Sequence, residues 1–285
     1  MGEKTKKELM EEYILKSKVL GVKEFEFQYY ENIDSVHITK INSDGKSPLF
    51  IPKFVSLIEF WAWYENDDMK EAKIKIPKEC CIMFDEFGLC AKYDSFSNHV
   101  KHIEVSEGHE SYVSIDGVLF DKEKKKLLAY PRGKEDKEYT VPRSVVKIED
   151  KAFSYNDFLE KLTIPKSVVW VGDIDFQTET KIVVSKENPR YKSVRGCLYS
   201  KDGSVLYHIY VEQYGKIKIE EGTVLLENNF IDGYYEELYI PSTLKIAEEL
   251  VRFDLACIDC IKAPKKLKRS INKYMPRNRY DVEYY

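Results

Sequence analysis

The sequence predicts an α/β repeat solenoid, predominantly β, whose short units stack side by side over one continuous core. Three observations predict it. Apolar residues alternate in short stretches that end at proline, these stretches recur at near-constant spacing, and a longer insertion occurs twice without a gap between the copies.

Six of the ten prolines follow a small or β-branched apolar residue: Ile51-Pro52, Ile76-Pro77, Val141-Pro142, Ile164-Pro165, Ile240-Pro241 and Ala263-Pro264. Pro142 to Pro165 and Pro241 to Pro264 have identical spacing, and Pro52 to Pro77 is close to it. Proline ends a strand cleanly because it has no N–H to give to a ladder. The residue before each proline and the residue two earlier are both apolar, as in Leu49/Ile51, Ile74/Ile76, Tyr139/Val141, Leu162/Ile164, Leu238/Ile240 and Ile261/Ala263. Ile103/Val105, Ile182/Val184 and Ile217/Ile219 repeat the pattern without proline. Nine short strands result, each turning alternate residues to a core. A second apolar segment follows the strand. Ser144-Val145-Val146-Lys147-Ile148 with Ala152-Phe153 recurs, at the spacing of Pro142 and Pro165, as Ser167-Val168-Val169-Trp170-Val171 with Asp175-Phe176. No unit this short buries its own apolar side, so stacking must do it.

Two intervals between strands are long for one reason. A single constant offset lays Val105 to Tyr130 on Val184 to Ile209, matching Tyr112 with Tyr191, Ser114 with Ser193, Gly117 with Gly196 and Leu119 with Leu198. Each copy reads as a β-hairpin inserted between rungs, near 106–131 and 185–210, with Lys201-Asp202-Gly203 the clearer turn. The ends follow other rules, since a solenoid must close its core. Residues 1–48 read as an N-terminal cap: a helix over Lys6 to Leu20 stopped by Gly21, then weakly alternating strands over Phe25 to Ile41. The solenoid occupies 49–264. Residues 265–285 form a C-terminal cap with a short helix over Lys266 to Met275.

These residues resemble the BspA-like leucine-rich repeats, whose pattern runs near L-x-x-I-x-I-P-x-S-V-x-x-I-G-x-x-A-F. Leu159-x-x-Leu162-x-Ile164-Pro165-x-Ser167-Val168-x-x-Val171-Gly172 fits it almost throughout. The segment from Asn188-Pro189 through Tyr191, Ser193, Gly196 and Leu198 to Gly203 resembles the family's insertion. The resemblance spans about Val105 to Pro264; Ile51 to Glu104 is degenerate, with Cys80-Cys81 where Ser-Val is expected. It implies a leucine-rich-repeat right-handed superhelix with parallel strands on one face, two inserted β-hairpins and helical caps. It also implies protein or surface recognition. The family holds many secreted or cell-surface bacterial proteins, and this chain departs from them in showing no export signal, anchor or sorting motif.

Composition agrees with an ordered, water-soluble chain: 43% hydrophobic, 33% charged, with 21 Tyr and 14 Phe. A net charge of -4 gives no global attraction to nucleic acid or membrane. The strongest apolar run, Phe60-Trp61-Ala62-Trp63-Tyr64, falls far short of the roughly 18 residues of a membrane span. The sequence as written therefore predicts the cytoplasm, and the cell surface only if an upstream signal has been removed. Six cysteines in a chain of this length predict reduced thiols rather than a disulfide framework.

Residues one and three before the proline position point away from the core. Lys73, Lys75, His102, Glu104, Lys161, Thr163, Lys181, Lys216, Lys218, Tyr239 and Lys262 are the candidate binding residues on this strand face. The full rows hold seven lysines against three glutamates, which suggests a mildly basic platform for an acidic partner, with Tyr239 as an aromatic anchor. The alternative is that these lysines only keep a strand face soluble. Arginine is nearly absent from the face, which disfavours nucleic acid, although the basic tail from Lys265 to Arg279 adds cations. Cys257-x-x-Cys260 lacks the second pair a zinc site needs, and His99-x-x-His102 puts its rings on opposite faces. Carboxylate pairs such as Asp67-Asp68 lie in polar turns. The aromatic run at 60–64 packs the degenerate early rungs, or forms a ligand platform if it is exposed. No phosphate loop, nucleophile elbow or metal helix is present in the sequence.

The sequence therefore predicts no catalytic residue, metal or cofactor. It predicts a binding scaffold for another protein. The alternative is a cell-surface adhesin or carbohydrate-binding module whose export signal is missing here.

Overall fold

The computed structural model describes residues 4–20, 25–42, 49–58, 73–78, 81–82, 100–154, 156, 158–173, 180–210, 215–227, 235–245, 258–274 and 281–285. They divide into two units, Met1–Asp136 with Ser144–Phe158, and Lys137–Arg143 with Leu159–Tyr285. Each unit is a segment of mostly β solenoid.

In chain order the elements of the first part are helix α1 (Lys6–Leu20), β1 (Phe25–Tyr30), β2 (Ser35–Ile41), β3 (Leu49–Phe50), β4 (Leu57–Ile58), β5 (Lys73–Ile76), β6 (Cys81–Ile82), β7 (His102–Val105), β8 (Tyr112–Ile115), β9 (Val118–Asp121) and β10 (Lys126–Ala129). Then follow β11 (Glu138–Thr140), β12 (Lys147–Ile148), β13 (Lys161–Ile164), β14 (Trp170–Val171), β15 (Lys181–Val184), β16 (Tyr191–Val194), β17 (Cys197–Ser200), β18 (Val205–His208), β19 (Lys216–Lys218) and β20 (Leu225–Leu226). The chain closes with β21 (Tyr235–Tyr239), β22 (Ile258–Ala263), helix α2 (Lys268–Tyr274) and β23 (Asp281–Tyr284).

Strands that end near the proline position pair in parallel, rung on rung. In the first unit β3, β5 and β7 form one such ladder. In the second, β11, β13 and β15 form one, and β19, β21, β22 and β23 another. The alternation read from the sequence is the pleat itself. Ile103, Leu162, Ile164, Ile182 and Ile261 have no exposed surface, while Glu104, Glu138, Lys181 and Lys218 between them face out. The second apolar segment of each rung buries Val145 and Ile148 in the first unit and Val168 in the second. It carries the two-residue strands β4, β6, β12, β14 and β20.

The insertions differ from the expected hairpins. Each is a three-stranded meander, β8-β9-β10 and β16-β17-β18, with antiparallel neighbours. The third strand is more than the return arm of a hairpin. It pairs in parallel with the next two-residue strand, β10 with β12 and β18 with β20, so it serves as a rung of the second sheet. Lys201-Asp202-Gly203 is the turn from β17 to β18, with Gly203 N–H donating to the Ser200 carbonyl at 2.9 Å, and each insertion has a tighter, earlier turn, at Asp116-Gly117 and Arg195-Gly196. Both residues of each pair have positive φ, at 50° and 81°, then 51° and 88°. Two-residue loops of this kind match the right-handed twist of the flanking strands, and glycine enters the left-handed region without penalty.

Those turns fold back against the strand that precedes the insertion. Ile103 N–H donates to the Gly117 carbonyl at 3.0 Å, and Ile182 N–H donates to the Gly196 carbonyl at 2.9 Å. Val105 N–H donates to Ser114 Oγ and Val184 N–H to Ser193 Oγ, both at 3.0 Å. The insertions therefore cap the edges of β7 and β15, supplying the acceptors that the next parallel strand would otherwise give. A Cβ on Gly196 would stand 2.5 Å from Tyr210 Cδ1, whereas one on Gly222, with φ of 97°, would meet nothing within 4 Å. Gly222→Ala is expected to cost only the backbone term, about 1–2 kcal/mol. Gly196→Ala should cost clearly more, and paired thermal melts of the two variants check this.

The ends also add detail. Thr5 and Glu8 form a capping box at the start of α1: Thr5 N–H donates to Glu8 Oε2 at 2.8 Å, and Glu8 N–H to Thr5 Oγ1 at 3.2 Å. Tyr13 of α1 packs on Phe25, Phe27 and Phe54, which joins the helix to the first unit's core. The strands expected over Phe25 to Ile41 are the antiparallel pair β1 and β2, and β2 continues in parallel into β4. The C-terminal segment holds a one-turn 3-10 helix (Lys265–Leu267) before α2, and one strand that the sequence reading does not foresee. This strand, β23, adds a parallel rung to β22, with Val282 opposite Ile261. Gly21 and the early aromatic run at 60–64 lie outside the described residues.

Candidate interaction surface

The parallel register places the predicted strand-face residues in rows. In the first unit Lys73 lies opposite His102 and Lys75 opposite Glu104. In the second, Glu138, Lys161 and Lys181 form one row and Thr140, Thr163 and Val183 the next. The last ladder gives a row of Lys216, Glu237, Cys260 and Asp281, and a row of Lys218, Tyr239, Lys262 and Glu283.

Most of the cations in these rows are neutralised by the neighbouring rung. Lys75 Nζ lies 2.7 Å from Glu104 and Lys161 Nζ 2.8 Å from Glu138. Lys216 Nζ lies 2.7 Å from Glu237, while Lys262 pairs with both Glu237, at 3.5 Å, and Glu283. The pairs act on titration as their geometry requires. The Glu283 carboxylate lifts the Lys262 ammonium above the ordinary lysine range, and Lys216 holds the Glu237 carboxyl below the ordinary carboxylate range. Tyr239 donates its hydroxyl to Glu237 at 2.8 Å, which raises its pKa and ties the predicted anchor into the same network. Exposed ion pairs of this kind add little to stability, because water and salt screen them. Their larger effect is to remove the uniform basic field that the lysine count suggests. That count misses part of the acidic counterweight, because Glu283 sits on the unforeseen strand β23.

Two predicted lysines stand apart. Among the described residues Lys181 and Lys218 have no acidic partner, and both lie where the main ladder of the second unit breaks between β15 and β19. A cleft of about 360 Å³ opens there. Cys197, Tyr199, Leu206, Ile217 and Ile219 form its floor, each no more than 8% exposed. Lys181, Arg195, Lys216 and Lys218 stand on its rim beside Tyr210. Arg195 also reaches Glu220 at 3.4 Å. The sequence could not show this cleft, because its lining combines Lys181 of β15, the second meander and β19, which come together only in the folded chain. In sequence the meander reads as a β-hairpin inserted between rungs.

The remaining candidates carry less. His102 packs its ring against Gly117. The side chain of Lys73 lies outside the described set, as do Cys80, His99 and Cys257, and the carboxylates Asp67 and Asp68. Cys260 is a free thiol on the strand face, with a pKa raised first by partial burial. Burial likewise raises that of Cys197. Neither thiol is thus activated as a nucleophile. Among the described residues no three His, Cys, Asp or Glu side chains are grouped to hold a metal ion. No helix among them is long and apolar enough to cross a membrane.

No family model matches the chain, and no curated protein matches it. Among solved structures it is similar to a leucine-rich repeat protein from Eubacterium ventriosum, at 18% identity and a TM-score of 0.38, over 76% of this chain and 48% of that one. It is similar to a leucine rich cell surface protein from Faecalibacterium prausnitzii, at 20% identity and a TM-score of 0.43, over 77% of this chain and 55% of that one. A third is the leucine rich repeat protein of T. pallidum, at 15% identity and a TM-score of 0.28, over 91% and 95% of the two chains. The chain spans about half the length of the first two. All three of these structures are described as leucine-rich proteins, two of them as leucine-rich repeat proteins.

Proposed function

We propose that the chain is a non-catalytic binding scaffold that engages another protein through the outward face of its parallel strands. One observation carries this reading: the rows of outward side chains are held in strict register over buried aliphatic rows. Lys161 and Thr163 alternate with Leu162 and Ile164 on β13, and Lys181 and Val183 alternate with Ile182 and Val184 on β15. A face fixed in this way presents polar groups at set spacing with little ordering entropy left to lose on binding. The two lysines without an acidic partner among the described residues, at the interruption of the ladder, give it a charge preference.

The test is affinity capture from lysate of the source cells with wild-type protein and a Lys161→Glu/Lys181→Glu variant. Both positions are outside the core, so the variant is expected to melt within a few degrees of wild type. A protein captured by the wild type and lost by the folded variant is the expected result. A protein retained equally by both would move binding off this face.

A further inference from the structure

The two strands that border the cleft in the second unit, β15 through Lys181 and β19 through Lys216 to Lys218, have unlike edges. The outer edge of β15 is closed, since Ile182 N–H and Val184 N–H already donate to Gly196 and Ser193. Among the described residues the outer edge of β19 is open. It is the terminal strand of its sheet, and Ile219 N–H donates to the Tyr239 carbonyl of β21 at 3.2 Å. In a parallel ladder alternate residues direct their main-chain groups to opposite sides. Ile217 and Ile219 therefore face β21, and the N–H and C=O groups of Lys216 and Lys218 face the cleft. A row of main-chain groups at a sheet edge is a template for one more strand.

The cleft around that edge has two further properties. Its floor is apolar and lies on the side to which Ile217 and Ile219 point. Its rim is cationic on the side to which Lys216 and Lys218 point, and Lys181 and Lys218 there have no acidic partner among the described residues. A strand laid along β19 would alternate in the same way, sending one set of side chains to the floor and the other to the rim.

We propose that this cleft receives an extended peptide segment of a partner protein, alternating acidic and apolar residues, which adds as a strand to the open edge of β19. Main-chain hydrogen bonds to Lys216 and Lys218 supply the register, the floor takes the apolar side chains, and Lys181 and Lys218 select the acidic ones. The proposal rests on the scaffold reading above and assigns one site within it.

The probe is a fluorescein-labelled hexapeptide alternating glutamate and valine, blocked at both ends, titrated against the full chain by fluorescence anisotropy. Saturable binding is expected, weakened about tenfold or more in the Lys181→Glu/Lys218→Glu variant. Replacing glutamate by lysine in the peptide should abolish binding. Methylating the peptide nitrogens of one alternate set should abolish binding by the wild type, and methylating the other set should spare it. This last comparison needs no protein variant to fold. Absence of binding, equal binding by the charge variant, or indifference to both methylation patterns would overturn the proposal. Capture from lysate separates the two readings. A native partner still held by Lys181→Glu/Lys218→Glu, with no peptide bound by the wild type, sinks the cleft and leaves the scaffold. Peptide binding with no cellular partner captured sinks the scaffold reading and, with it, the partner assigned to the cleft, leaving only a peptide-binding edge.

Discussion

Ile164→Ala is expected to lower the free energy of unfolding by about 2–5 kcal/mol. Ile164 has no exposed surface, and its strand β13 is flanked on both sides by β11 and β15. Truncation there leaves a cavity under a two-sided ladder, where neighbouring rungs cannot close in without breaking their own register. Leu162, equally buried, should behave alike. Thr163→Ala, one residue away, should cost less than about 1 kcal/mol, because Thr163 faces outward and packs in no core. Urea denaturation of the three variants reads the difference. If Thr163→Ala cost as much as Ile164→Ala, the register would be displaced by one residue, which would exchange the two faces.

Asn188→Ala should be comparably damaging, at about 3–5 kcal/mol, through hydrogen bonds rather than packing. Asn188 is fully buried. Its Nδ2 donates to the Pro165 and Val168 carbonyls, both at 2.8 Å, and its Oδ1 accepts from the N–H groups of Arg190 and Tyr191, both at 2.9 Å. One side chain thus joins the entry of the second insertion to the rung before it, and alanine strands four main-chain groups, two of them in buried bonds and two in part-buried ones. The first insertion has His109 at the matching position, under the same offset that lays Tyr112 on Tyr191. His109 Nδ1 accepts from Ser111 and Tyr112, both at 3.1 Å, which reproduces the Oδ1 half of the arrangement. His109→Asn should therefore be far milder than His109→Ala, as thermal melts of the pair would show. Equal losses would mean that the two insertions are built on different principles.

That match shows what kind of information the sequence carries. The spacing of prolines and the two-residue alternation give the rungs, their register and the buried rows, since each follows from the pleat and from the missing N–H of proline. The constant offset between the two copies locates both insertions. It does not show that their third strands belong to the second sheet, because β10 and β18 find partners in β12 and β20 only through space. Strand β23 is not legible either. It has no fully buried residue, only Val282 and Tyr284 packed partly against the core, no proline, and just four residues from Asp281 to Tyr284. The candidate site is legible as a list of outward residues, while its electrostatics are not. Counting lysines along each strand cannot show that Lys161 meets Glu138 or that Lys262 meets Glu283, because each pair joins separate rungs that meet only in the folded ladder. The cleft depends on a break in the ladder, and local pattern carries no mark of where two parallel strands fail to pair.

The measurement that tests the scaffold reading most directly is photo-crosslinking of the captured partner from defined positions. A benzophenone amino acid would be placed at Thr163 and Lys181 on the strand face, and at Val169 on the second side of the rung, where the side chain is 42% exposed. The account predicts cross-links from 163 and 181 and none from 169. Cross-links from 169 alone would contradict it and place the partner on the opposite side of the solenoid.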